Sequence, residues 1–176
     1  NVNFLFEASV GGGIPIIRPI SQCLAANEIN EFAGILNGTT NFILTRMIND
    51  GMAFEDALKL AQDNGYAERD PSADILGFDA CRKVCILASL CFGKHVYPDQ
   101  VHTEGITEIT LEDVEYAKDW GGVIKLLGRA RKSEDGKHIY AIVSPAFVDH
   151  HSQLASVDDV FNAILVRGDA IGDVVF

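Results

Sequence analysis

The 176-residue sequence contains no hydrophobic run of the length that spans a membrane. Its longest apolar stretch, residues 84–92, is far shorter than the roughly 20 residues that a bilayer requires. Basic residues are also scarce, since 14 Lys and Arg stand against 25 Asp and Glu and leave a net charge of −11. Cationic side chains supply most nonspecific affinity for nucleic acids and anionic lipids. The sequence therefore predicts neither a nucleic-acid partner nor a membrane partner.

The four cysteines lack the paired spacing of a metal site, and we expect the protein to carry no secretory leader. Cys81 and Cys85 are four residues apart in an apolar run, with no C-x-x-C pair or matching Cys/His pair elsewhere. We interpret the adjacent His150 and His151 as loop residues. The cysteines are therefore predicted to be buried, reduced thiols of a cytoplasmic protein.

Periodicity and turn residues divide the sequence into helices followed by strands. The predicted helices cover residues 15–26, a segment capped by residues 38–40 and ended by Gly51, and residues 54–64, 77–92 and 111–119. The predicted strands cover residues 2–6, 28–36, 123–131, 138–143, 163–167 and 173–176, and residues 66–76 are predicted as a loop. This order indicates one α+β domain with a mostly antiparallel or mixed sheet and helices packed on one face.

Apolar residues of the predicted strands occupy both faces of the sheet. Leu126, Ile142 and Leu165 alternate with other apolar residues. Helices cover only one face, so we expect a second sheet from another copy of the chain to cover the other. The sequence therefore predicts a homodimer.

The candidate chemical groups lie around the start of the helix predicted at residues 77–92. Asp79 and Lys83 are four residues apart and share one helix face, and a loop with three more acids precedes them: Glu68, Asp70 and Asp74. A surface ion pair and a catalytic polar pocket both fit this pattern, and the two interpretations remain open. The acids lack the spacing of a calcium-binding loop.

A glycine run follows the first predicted strand. Gly11–Gly13 precede a predicted helix, but the sequence contains neither G-x-G-x-x-G nor G-x-x-x-x-G-K-[ST]. We interpret the run as a tight turn rather than a phosphate-binding loop.

Several longer motifs resemble homoserine dehydrogenase. They are Glu7-Ala8-Ser9-Val10-Gly11-Gly12-Gly13-Ile14-Pro15-Ile16-Ile17, Asn37-Gly38-Thr39-Thr40-Asn41-Phe42-Ile43-Leu44, Gly65-Tyr66-Ala67-Glu68 with Asp70-Pro71, Asp74, Asp79 and Lys83, then Ile124-Lys125-Leu126-Leu127 and Phe161-Asn162-Ala163. The resemblance extends over nearly the whole chain. It implies oxidation of L-homoserine to L-aspartate 4-semialdehyde with NAD or NADP, in threonine, methionine and isoleucine biosynthesis.

The resemblance also implies roles for individual residues. Lys83 corresponds to the acid/base residue of the family. Glu68 and Asp79 correspond to residues that hold homoserine, and Asp74 lies in the same acidic loop. Gly65 corresponds to a backbone contact with the dinucleotide.

A monovalent-cation site, usually assigned as sodium, is a further feature that the resemblance implies. Its expected members are Glu7 and the carbonyls of Val10, Gly12 and Ile14. The glycine turn suits this role, because small residues leave carbonyls free to point at an ion.

The resemblance covers the family's C-terminal catalytic domain, so residues 1–176 are expected to be the substrate-binding and dimerisation domain. The family's N-terminal dinucleotide-binding domain is absent from this sequence, and the fragment alone is expected to be inactive. A non-catalytic dimerisation or amino-acid-binding module of the same fold is the alternative.

Overall fold

The computed structural model describes residues 5–176 and contains one six-stranded sheet. The strands are β1 (Ile29–Ile35), β2 (His102–Thr103), β3 (Gly122–Lys132), β4 (Ile139–Asp149), β5 (Ala163–Gly168) and β6 (Gly172–Val175). Their order across the sheet is β2-β4-β3-β1-β5-β6. Only the β2–β4 pair is parallel. The predicted α+β class with a mixed, mostly antiparallel sheet is confirmed.

The helices pack mainly against one face of this sheet. They are α1 (Gly38–Asp50), α2 (Phe54–Asp63), α3 (Ser72–Ile75), α4 (Phe78–Phe92) and α5 (Leu111–Asp119). A π-helical turn (Pro19–Cys23) and a 3₁₀ turn (Pro98–Gln100) complete the helical elements. Among residues 5–176, no helix is long and apolar enough to cross a membrane.

Local capping chemistry sets the ends of the helices. Thr110 caps α5 by accepting a hydrogen bond from the amide of Asp113, whose carboxylate accepts one from the Thr110 amide in return. Gly51 ends α1 in the left-handed conformation, with φ of 64°. The cap of α1 is Asn37, one residue before the predicted segment 38–40.

Helix α4 lies centrally and packs directly on the sheet. Val84 and Leu87 on α4, and Phe32 on β1, are completely buried in the main hydrophobic core. A Cβ added to Gly128 of β3 would lie only 2.5 Å from Cγ2 of Val84. The absence of a side chain at Gly128 therefore allows α4 to approach the sheet closely, and hydrophobic burial holds it there.

The N-terminal helix is shorter than the predicted residues 15–26. It begins at residue 17 and continues into the π-helical turn Pro19–Cys23. The Glu7 carboxylate accepts hydrogen bonds from the amides of Ile17 (2.6 Å) and Arg18 (3.0 Å). These two amides have no partner within the helix, so the carboxylate defines its start.

Strand β4 is longer than the predicted residues 138–143. The part that was not predicted contains Pro145, and proline cannot donate a hydrogen bond to a sheet. In the structure β4 pairs with β3 along its whole length, but β2 pairs with it only at residues 142 and 143. Beyond them β4 is an edge strand, a position that tolerates proline.

Three other segments differ from the prediction or fall outside it. The predicted loop at residues 66–76 contains the one-turn helix α3. Strand β2 was not predicted, since two residues carry no periodic signal. Of the strand predicted at residues 2–6, residues 2–4 lie outside the described range, and Leu5 and Phe6 adopt no regular secondary structure.

The second face of the sheet carries a smaller apolar cluster. Its buried members are Ile35, Leu127, Val148, Leu154, Ala155 and Ala163, to which the segment between β4 and β5 contributes two. Half-buried apolar residues surround this cluster: Ala33, Val123, Ala146, Val157, Leu165 and Val175. The second face is thus apolar and only partly covered by the chain itself.

Candidate active site at the start of the central helix

Lys83 and Asp79 form an ion pair on the first two turns of α4. Lys83 Nζ lies 2.6 Å from Asp79 Oδ2 and donates a hydrogen bond to the Leu36 carbonyl at 2.9 Å. The Lys83 side chain is 20% exposed and that of Asp79 is 31% exposed. The pair is therefore neither a freely solvated surface pair nor a closed core pair, and both groups remain accessible to a small molecule.

Asn37 connects this ion pair to the acidic loop. Its side-chain Nδ2 donates to Asp74 Oδ1 (2.7 Å) and to Asp79 Oδ2 (3.0 Å). Its Oδ1 accepts a hydrogen bond from the Thr40 amide at 2.8 Å. The helix amide thereby fixes which way the Asn37 amide points. Four elements meet here: the end of β1, α1, α3 and α4.

Sequence reasoning missed Asn37 as a member of the site. Asn is a preferred N-cap and Asn37 directly precedes the Gly-Thr-Thr start of a helix, which indicates a cap but not a contact with the acidic residues. The contact with Asp74 and Asp79 depends on segments 37 and 42 residues away, and no local pattern shows it.

The cluster combines two carboxylates with one amine. A lysine ammonium has three N–H groups, and Lys83 bonds two partners among residues 5–176. One N–H therefore remains for another molecule. The excess of carboxylate over ammonium favours a cationic group, and the amine can exchange a proton with a hydroxyl or carbonyl oxygen.

Glu68 lies apart from the hydrogen-bonded cluster. Its side chain is exposed and makes no hydrogen bond or ion pair within the described part of the chain, while its main-chain carbonyl accepts from Gln62 Nε2 at 3.1 Å. The neighbouring Tyr66 carbonyl accepts a 2.6 Å hydrogen bond from Thr39 Oγ1. This bond attaches the loop that carries Glu68 to the first turn of α1.

Gly65 begins the same loop with a backbone conformation that suits glycine. Its φ is +76°, and a Cβ added there would meet no atom within 4 Å. The exposed backbone at Gly65 is therefore open to close approach by a ligand.

Of the residues expected at the cation site, Glu7 and Ile14 already make hydrogen bonds within the chain. The Glu7 carboxylate is already bonded to two helix amides. The Glu7 carbonyl accepts from the Val10 amide at 3.4 Å, and the Ile14 carbonyl accepts from the Ile16 amide at 2.9 Å. Gly12 adopts a positive φ of 58°. Residues 5–176 contain no group of three or more His, Cys, Asp or Glu side chains arranged to hold a metal.

The cysteines are less uniformly buried than predicted. Cys81 and Cys85 are buried, Cys91 is half-buried and Cys23 is exposed. Burial, with the neighbouring Cys81 as a second cause, raises the pKa of Cys85 to about 11. Cys85 is therefore protonated at neutral pH and unsuited to nucleophilic chemistry.

Comparison with known proteins identifies relatives over nearly the whole chain. The family model for homoserine dehydrogenase matches residues 15–176. The homoserine dehydrogenase of Synechocystis is 49% identical over 99% of this chain and 41% of its own length. That of Bacillus subtilis is 46% identical over 97% of this chain and 39% of its own length. The chain thus spans about two fifths of these relatives.

Solved structures support the same relationship. A homoserine dehydrogenase from Thiobacillus denitrificans superposes with a TM-score of 0.93 at 48% identity, covering 97% of this chain and 39% of that one. A hyperthermophilic archaeal homoserine dehydrogenase mutant in complex with NADPH gives a TM-score of 0.79 at 31% identity, covering 97% of this chain and 47% of that one.

Proposed function

This chain belongs to the homoserine dehydrogenase family, and we propose that it is the substrate-binding and dimerisation domain of a cytoplasmic NAD(P)-dependent enzyme. The enzyme interconverts L-homoserine and L-aspartate 4-semialdehyde, a step in threonine, methionine and isoleucine biosynthesis. The observation that carries this proposal is the cluster of Lys83, Asp79, Asn37 and Asp74, in which an amine with one free N–H lies beside two carboxylates.

Lys83 is the proton-transferring group in this proposal. Oxidation of the alcohol removes a proton from oxygen and a hydride from the adjacent carbon. Bound NAD or NADP supplies the hydride acceptor. In the oxidation direction Lys83 acts as the neutral amine and takes the hydroxyl proton on its nitrogen lone pair, and in the reverse direction the resulting ammonium returns that proton to the aldehyde oxygen. Asp79 and the Leu36 carbonyl orient the amine for both directions.

The acidic residues bind the ammonium group of the amino acid. Asp74 and Asp79 are held together by Asn37, and both are partly exposed. Glu68 is supplied by the adjacent loop and reaches the substrate from the solvent side. Charge-assisted hydrogen bonds to an ammonium are about twice as strong as neutral ones, so this arrangement selects an α-amino acid over an uncharged alcohol.

Two further contacts belong to the proposal. The backbone at Gly65 approaches the dinucleotide, for which its open, side-chain-free position is suited. The carbonyls of Glu7, Val10, Gly12 and Ile14 hold a monovalent cation such as sodium. The Glu7 carboxylate caps a helix, so the donor set is neutral, and carbonyl oxygens are suitable ligands for a hard cation.

Homodimerisation through the second sheet face is the remaining part of the proposal. Its support is the row of half-buried apolar residues that the chain covers only in part. We expect a dimer at micromolar concentration in light scattering. A monodisperse 19.1 kDa species would contradict it.

The function is tested by assaying the full-length protein with L-homoserine and either NAD or NADP, following formation of the reduced nicotinamide. We expect turnover that depends on homoserine, and none from the 176-residue fragment alone. Homoserine binding without turnover in the full-length protein would instead support the non-catalytic amino-acid-binding module. Contaminating host enzyme is controlled by purifying the Lys83→Met variant in the same way.

A further inference from the structure

Lys125 is a fully buried lysine that the proposed reaction does not use. It is the fourth residue of β3, and its side chain is 0% exposed. Its neighbours along the strand, Ile124, Leu126 and Leu127, are buried and apolar. Burial lowers the pKa of Lys125, and the hydrogen bond and charge of Asp158 oppose this effect. An apolar residue would fill the same space without the cost of burying a charge. The presence of a lysine at position 125 therefore needs an explanation.

All three N–H groups of the Lys125 ammonium have partners. Nζ lies 2.6 Å from the Val157 carbonyl, 3.1 Å from Asp158 Oδ1 and 3.3 Å from Asn41 Oδ1. Two of these acceptors belong to residues 157–161, which we call the 157–161 turn, and the third belongs to α1. Lys125 therefore joins β3, the turn and α1 at one point.

Further hydrogen bonds attach the 157–161 turn to α1. Asn41 Nδ2 donates to the carbonyls of Val157 (3.0 Å) and Phe161 (3.2 Å). Thr45 Oγ1 accepts from the Asp159 amide at 3.0 Å and donates to the Asn41 carbonyl at 2.7 Å. Asn41 and Thr45 are buried, so these bonds are shielded from competing water.

The conformation of the turn is one that its surroundings must maintain. Asp159 has a φ of 56°, and it is the only non-glycine residue between positions 5 and 176 with a positive φ. Aspartate tolerates this conformation better than most residues, but it still costs free energy. Its side chain also pairs with Arg46 of α1.

The turn contacts the first residue of α1, next to the proposed active site. A Cβ added to Gly38 would lie 2.6 Å from the Val160 carbonyl oxygen, so the two backbones are in close contact. The residue before Gly38 is Asn37, whose side chain bonds both Asp74 and Asp79. Asn37 and Asn41 are separated by one helical turn. A shift of the turn would therefore move Asn37 relative to the two carboxylates.

We infer that Lys125 is a positioning residue for the substrate site. The Lys125 ammonium holds the 157–161 turn against α1. The 157–161 turn then keeps Asn37 at the position where its side chain bonds Asp74 and Asp79. This inference rests on the proposed function, since it assigns Lys125 to homoserine binding through these carboxylates. Lys125 itself need not touch the substrate.

The test is steady-state kinetics of the Lys125→Met variant in the full-length enzyme. Methionine keeps the length of the stem and removes the ammonium. We expect KM for homoserine to rise about tenfold or more, with a smaller change in kcat, because displaced carboxylates lose the substrate ammonium. KM for the nucleotide should stay within about twofold of the wild type, and Lys125→Arg should restore part of the homoserine affinity.

A matched control separates positioning from loss of stability. Leu127 is buried on the same face of β3 and has no polar atom in the network. Leu127→Ala should lower the melting temperature without raising KM for homoserine. An unchanged KM in a folded Lys125→Met variant, or an equal rise in KM in Leu127→Ala, would overturn the inference.

Thr45→Val keeps the inference testable if Lys125→Met does not fold. Valine has the shape of threonine but cannot accept the bond from the Asp159 amide. It should raise KM for homoserine in the same direction and by less, and an unchanged KM would contradict the inference. An inactive wild-type enzyme would instead refute the proposed function, which distinguishes the two failures.

Discussion

Two lysines of this chain have the same kinds of partner in opposite surroundings. Each ammonium bonds one main-chain carbonyl and one aspartate carboxylate. The partners are Leu36 and Asp79 for Lys83, and Val157 and Asp158 for Lys125. The Lys83 side chain is 20% exposed, and the Lys125 side chain is 0% exposed.

The third N–H group distinguishes their roles. In Lys125 it is bonded to Asn41, which saturates the ammonium. In Lys83 it has no partner within residues 5–176, and the side chain is accessible. A saturated, buried amine can only hold structure together, whereas an unsaturated, accessible amine can bind a substrate and transfer a proton. An ion pair with an aspartate therefore does not distinguish the two roles. The role depends on whether the third N–H group of the ammonium has a partner within the protein.

The largest expected effect is on turnover when Lys83 is replaced. Lys83→Met in the full-length enzyme removes the amine and keeps the stem, so we expect kcat to fall about 10²–10⁴-fold, the usual contribution of a placed proton donor. KM and the melting temperature should change much less, because Asp79 remains partly exposed to water and keeps its hydrogen bond from Asn37 when the ammonium is removed. Steady-state kinetics measures kcat and KM, and a thermal unfolding curve of the same variant measures the melting temperature. Near-normal turnover would remove Lys83 from the mechanism and erase the difference between the two lysines.

A smaller effect is expected at Asn37. Asn37→Ser keeps a good N-cap for α1 but removes the amide that bonds Asp74 and Asp79. Hydrogen bonds to charged groups contribute about 1.5–3 kcal/mol, so KM for homoserine should rise about tenfold or more. Thr110→Ala is the control, since it removes the cap of α5 at a cost of about 1 kcal/mol and lies on another helix. Equal changes in KM for both variants would show that Asn37 acts only as a cap.

The smallest expected effect is the pH dependence of stability that Lys125 contributes. Burial lowers its pKa below 10.5 in the folded protein, while the unfolded chain has the ordinary value. Between these two pKa values the unfolded state binds more protons, so the free energy of unfolding rises with pH across this window. The measurement is denaturant unfolding at a series of alkaline pH values. The free energy of unfolding of the wild type, minus that of Lys125→Met, should rise with pH up to the ordinary lysine pKa of 10.5.

The exposed Lys59 provides the control for this titration. Lys59→Met also removes one positive charge, but from a side chain that is 71% exposed on α2. A difference between wild type and Lys125→Met that does not vary with pH would show that burial does not perturb Lys125.

Most of the fold was predictable because its signals are local. Helix α5 matches its predicted bounds, since Thr110 and Asp113 form a capping box within four residues. Strand β4 was predicted too short, because whether Pro145 ends a strand depends on what pairs with its other edge. The start of the N-terminal helix was wrong for a similar reason: the carboxylate that caps it belongs to Glu7, ten residues earlier.

The candidate site shows the same division. Asp79 and Lys83 were predictable as a pair because one helical turn separates them. The membership of Asn37 was not, since it depends on contacts across 37 and 42 residues. Glu68 remains a prediction from the family motif, because its carboxylate has no partner in the described structure. Gly65 and the cation-site carbonyls likewise remain proposals.

The sequence by itself determined the family, the α+β class and the residue types available for proton transfer and ammonium binding, because motifs and periodicity are properties of neighbouring residues. Only the tertiary structure decided what each lysine can do. Lys83 and Lys125 are the same residue type beside the same kinds of acceptor, and their difference comes from exposure and from one acceptor, Asn41, that is 84 residues from Lys125 in the chain. Desolvation and saturation of a donor depend on what packs around it in three dimensions.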